Sequence, residues 1–174
     1  MSSYAHRYAY LPADPRWAQA WPQILDDART IVEQVRRLGV VIAGPDGLRR
    51  PVFDPAFGVG FNGDATTDLA GDTFTVMAPM FIGSTVTAQA ICRTGAKPYD
   101  LAVAALLLRC AQLVPNVFVL DSDGGWDTQW LTGHHPASAG TVLASPRNLI
   151  GMLFEPYPDT SPFTDITTFL TRHR

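Results

Sequence analysis

Lysine and glutamate are almost missing from this chain. Lys97 is its one lysine, and Glu33 and Glu155 are its only glutamates. Arginine and aspartate carry the remaining charge, and aspartate favours turns and caps over helix interiors. The skew therefore predicts a loop-rich protein with two main helices. A basic excess is also absent: the net charge is −3 and the pI near 5.7, so no electrostatic footprint for nucleic acid exists. No apolar run nears the roughly 20 residues of a membrane span. The opening MSSYAHRYAYLPADP lacks the apolar stretch of a secretion signal, and a cytoplasmic location is expected. Cysteine is scarce. Cys92 and Cys110 lack the paired spacing of a structural zinc site and read as buried thiols rather than a disulfide.

What is present suits a packed domain. Hydrophobic residues make up 47% of the chain and charged residues 17%, too apolar for disorder. Asp14-Pro15 has the form of a helix cap and first turn. Trp17, Trp21, Ile24, Leu25, Ala28, Ile31, Val32 and Val35 then keep three/four spacing up to Gly39, a fitting stop. Val40–Ala43 reads as a short strand, with Arg50–Phe53 as its hairpin partner after Gly44-Pro45-Asp46-Gly47. Phe57, Val59 and Phe61 alternate, as do Phe74 and Val76 within Asp72–Ala78. The segment Pro79–Ala90 is ambiguous between strand and loop. Pro98 to Leu113 is apolar nearly all round, which predicts a central helix. Val117–Leu120 suits an interior strand, and short strands are expected at Thr141–Ala144 and Ile150–Phe154.

Together these elements predict one α+β domain over residues 1–174. A mixed or antiparallel sheet, drawn from segments within 40–78 and 117–154, packs against helices at 15–38 and 98–113. Residues 1–13 and 156–174 are expected to be peripheral.

Chemistry concentrates around the second helix. The strand Val117–Leu120 runs into Asp121-Ser122-Asp123-Gly124, which resembles the opening of haloacid-dehalogenase-like phosphatases and the Asp-x-Asp element of metal-dependent glycosyltransferases. That resemblance implies Asp121 and Asp123 as carboxylates around a divalent cation such as Mg2+, with Asp127 as a further ligand. The chain departs from both patterns: no lysine follows the motif, and no nucleotide-binding region precedes it. The plain alternative is an Asp/Gly turn with Trp126 and Trp130 packed on the core. Arg93 and Lys97, ahead of the second helix, form the candidate anion site, since a helix start favours negative charge. There Asp100 reads as a helix cap. Asp64, Asp68 and Asp72 read as a solvated turn that could join a cation site. His134-His135 reads as a solvated turn, and Cys92 beside Arg93 as a candidate thiol.

FNGDATTDLAGDTF, CRTGAKPYDLAVAALLLR and VLDSDGGWDTQW, in that order, resemble segments of a set of uncharacterised bacterial proteins, across roughly residues 40–130. The resemblance implies a self-standing domain and transfers no activity. The sequence therefore points first to a non-catalytic binding, interaction or accessory protein with a protein partner or a second copy of itself. Tyr4, Tyr8, Tyr10, Tyr157, Phe163 and Phe169 are its candidate docking aromatics. The alternative is a divalent-metal-dependent hydrolase or transferase acting on a phosphate-bearing small molecule. Its catalytic candidates would be Asp121, Asp123 and Lys97.

Overall fold

A computed structural model of the chain describes residues 3–80, 86–134 and 145–174. Two three-stranded antiparallel sheets pack around two long helices, an α+β architecture with one main hydrophobic core. The first sheet takes β1 (Ala5–Tyr10) at its centre, flanked by β5 (Ala88–Arg93) and β6 (Phe118–Ser122). The second sheet orders β2 (Val52–Asp54), β3 (Gly58–Phe61) and β4 (Phe74–Met77) side by side.

Helix α1 (Pro15–Arg37) begins at Asp14, whose carboxylate accepts the Arg16 N–H at 2.8 Å, with Pro15 in the first turn. It runs unbroken past Pro22 and stops at Gly39, which takes φ +91°, open to glycine without strain. Trp17 and Trp21 anchor it to the second sheet, donating their indole N–H groups to Met77 O and Pro55 O. Helix α2 (Asp100–Leu113) is the centre of the protein. Ala102 to Leu108 are all buried, so this helix has no solvent face along two turns. It packs on α1, on α4 (Pro146–Leu153) and on β6. α3 (Gln129–Thr132) is a single turn that buries Trp130, and α5 (Ile166–Arg172) lies over the outer face of the first sheet through Phe169.

Several expectations change. The amino terminus is not peripheral: β1 is the middle strand of its sheet, because Tyr8 and Tyr10 point into the core while Ala9 packs under Phe169. The single expected sheet is two. Val40–Ala43 makes only one bridge, Ala43 with Asn62, and Val52–Asp54 pairs with β3 instead of with that segment. Asp54 caps the intervening turn by accepting the Ala56 and Phe57 N–H groups, which fixes a hairpin at that point. Arg93 belongs to strand β5, not to a basic loop. Ile150–Phe154 is largely helical, since Ser145 and Pro146 supply a cap and a first-turn proline. Of the tail, Phe169 is buried and α5 covers a sheet face. The expected strand Thr141–Ala144, His135 and part of Pro79–Ala90 lie outside the described residues. Both cysteines are buried free thiols, as the sequence predicts. Among the described residues no helix is long and apolar enough to cross a membrane.

Candidate functional site

Alternation along β1 and β6 decides what meets the start of α2. His6 pairs with Ser122 across the sheet, and Arg7 pairs with Asp121. His6 and Ser122 therefore share the face toward α2, while Asp121 and Asp123 lie on the opposite one. The central residue of Asp-Ser-Asp reaches the helix, and its flanking carboxylates do not.

The inward residues form one hydrogen-bonded chain. Ser122 Oγ lies 3.0 Å from His6 Nδ1, and His6 Nε2 lies 2.8 Å from Asp100 Oδ1. The other carboxylate oxygen of Asp100 is 3.0 Å from His134 Nε2. Thr94 donates its hydroxyl to Asp100 Oδ1. Ser122 Oγ also accepts the Trp130 indole N–H at 3.1 Å and the Gly124 N–H at 3.0 Å. Ionised Asp100 can only accept, so His6 carries a proton on Nε2 toward it.

Serine, histidine and aspartate follow one another in this hydrogen-bonded chain, the order a nucleophilic triad also uses. The serine oxygen accepts two donors, the Trp130 indole and the Gly124 N–H. Several backbone N–H groups around the helix start are also paired: Gly95 donates to Tyr4 O, Lys97 to Thr94 O and Asp100 to Lys97 O. The chain is a relay of position, fixing His6 and through it Asp100.

Asp100 is almost fully buried. Burial alone would raise its pKa, but the adjacent His6 and the donors His134, His6 and Thr94 outweigh that and hold the carboxyl well below the usual range. Its charge faces His134, which is one-fifth exposed and borders a cavity of about 150 Å3. The walls are Tyr4, Val40, Pro98, Leu101 and Pro146, with Lys97 and Gln129 at the polar margin. Tyr4 stands edge-on to His134, with ring centroids 4.3 Å apart. Burial, then the charge of Asp100, push the Tyr4 phenol up to about 12, so it stays protonated. Gly133, at φ +82°, turns the chain out of α3 and delivers His134 to the cavity.

The candidates from sequence are placed elsewhere or partnered. Asp123 receives Arg7 Nη1 at 2.9 Å and the Ala5 N–H at 3.0 Å, and hydrogen bonding from Arg7 lowers its pKa. Asp127 pairs with Arg147 at 2.8 Å, and Arg93 with Asp72 at 3.3 Å. Lys97 borders the cavity, yet its ammonium donates to Ala70 O at 2.6 Å and lies 3.7 Å from Asp68. Neither Asp121 nor Asp123 lines the cavity that Lys97 does. Among the described residues no three His, Cys, Asp or Glu side chains gather where a metal could be held. Asp64 caps a short 3-10 turn at Ala65–Thr67, and Cys92 is buried with its thiol pushed up to about 12 by burial.

Sequence reasoning missed His6, Thr94, Asp100, Ser122 and Trp130 as one group, and read His134 as a solvated turn. The available signal was Tyr4, His6, Tyr8 and Tyr10 at a period of two, the pattern of a half-buried strand. No family model, curated protein or solved structure matches the chain.

Proposed function

We propose that this protein binds one compact, mainly apolar small molecule in the cavity at the start of α2. The carrying observation is that, among the described residues, a buried, partnered polar chain surfaces at His134 beside mainly apolar walls. A few convergent polar groups in an apolar pocket are the usual form of a small-molecule site. A cavity on the order of 150 Å3 takes a molecule about the size of one aromatic ring. The ligand's apolar body would lie against Leu101, Pro98 and Pro146, and its polar end would meet His134.

This reading keeps the non-catalytic binding role and changes the class of partner. Of the expected docking aromatics, Tyr8, Tyr10 and Phe169 are buried in their own domain. An interaction role draws support instead from the second sheet, where Phe57 is 82% exposed beside Val52 and Met77. The metal-enzyme reading draws less support, because Asp121 and Asp123 lie on the sheet face away from the cavity that Lys97 borders, and Arg7 and Arg147 pair with Asp123 and Asp127.

Ligand-observed NMR with a library of single-ring compounds, on wild type and on Leu101→Trp, tests the reading. Binders should appear in wild type and vanish when the added indole fills the cavity. A library with no binder at millimolar concentration, or binders indifferent to Leu101→Trp, would end it.

A further inference from the structure

We propose that the cavity selects a ring-sized molecule carrying an O–H or N–H donor, of the phenol and azole class, and reads that donor through His134 Nδ1. Asp100 acts as the positioning residue. The inference rests on the small-molecule reading above and names the chemistry of the ligand.

Asp100 sets the tautomer. As an ionised carboxylate it can only accept, so the proton shared across the 3.0 Å contact with His134 sits on Nε2. In the neutral imidazole, Nδ1 on the other side of the ring is then left with a lone pair. Among the described residues Nδ1 has no hydrogen-bond partner, although the ring borders the cavity. The ring cannot easily turn to exchange its nitrogens. Tyr4 packs edge-on against it at 89°, and Asp100, which meets its Nε2, is itself held by His6 and Thr94. Among the described residues, the charged and titratable groups facing His134 are Asp100 and Tyr4, with Lys97 at the cavity margin.

An acceptor fixed in apolar surroundings favours a ligand that donates to it. It also discriminates strongly, because a molecule of equal shape without the donor leaves the nitrogen desolvated and unpaired. The stem of Lys97 adds apolar surface at the margin, while its ammonium is held by Ala70 O.

Calorimetric titration of the full chain with phenol, toluene and pyridine, in mildly alkaline buffer where pyridine is uncharged, tests the inference. Phenol and toluene match in size; pyridine offers an acceptor and no donor. Phenol should bind at least about tenfold tighter than either. His134→Phe, which keeps the ring volume, should abolish the preference for phenol over toluene. Equal binding of phenol and toluene to wild type would overturn the inference and leave the cavity a binding site. Pyridine matching phenol would place the proton on Nδ1 and overturn it as well. If none of the three binds at millimolar concentration, the small-molecule reading falls, and this inference with it.

Discussion

Asp100→Asn should be the most damaging single-atom change in the protein. In wild type the carboxylate accepts from His6, Thr94 and His134. Hydrogen bonds to a charged acceptor contribute about 1.5–3 kcal/mol each, so three give about 4.5–9 kcal/mol before the cost of burying the charge is subtracted. Asparagine would aim an amide N–H at a histidine N–H that also needs an acceptor. Breaking a buried charged cluster at one member costs on the order of 3–5 kcal/mol, and that is the loss expected in urea denaturation at neutral pH. The pH dependence supplies a second check. Because folding depresses the Asp100 pKa, its stabilisation is complete above the ordinary carboxylate range, near about 4, and is lost as pH falls from there toward the folded value. The gap between wild type and variant should therefore narrow below about pH 4. A loss under about 1 kcal/mol, or a gap unchanged through the acid range, would refute the charged network.

Other predictions probe neighbouring features. Arg109→Ala should cost about 3–5 kcal/mol, since among the described residues it leaves the buried Asp27, held now at 2.6 Å, with Gln23 alone as a side-chain partner. The paired change Arg109→Met with Asp27→Leu should recover most of that loss in the same denaturation assay. Gly124→Ala should cost about 1–3 kcal/mol, because a Cβ there overlaps the Tyr4 hydroxyl. The displaced Tyr4 should also weaken phenol binding in calorimetry. Cys92 and Cys110, both buried with thiol pKa values raised by burial, should resist a thiol reagent in native protein and react fully in denaturant.

Legibility in the sequence followed local pattern. α1 declared itself through Asp14-Pro15, a long apolar stripe and Gly39, and α2 through an all-apolar circumference. β4 showed its alternation at Phe74 and Val76. Other features depend on register between distant segments. Whether Ser122 or its flanking aspartates face α2 follows from the antiparallel pairing of His6 with Ser122, which no local window contains. Asp100 looked like a cap because its position in a first turn satisfies that role locally. Its true partners come from β1, the residue after β5 and the end of α3. The buried pair of Arg109 with Asp27 was hidden for the same reason, since its two members lie on different helices.

Imidazole nitrogen NMR on uniformly labelled protein tests the central claim most directly. The account predicts that His134 holds its proton on Nε2, with a lone pair on Nδ1, and that phenol shifts the His134 Nδ1 resonance while leaving His6 unmoved. A His134 ring that carries its proton on Nδ1, or that exchanges tautomers as freely as an exposed histidine, would contradict it.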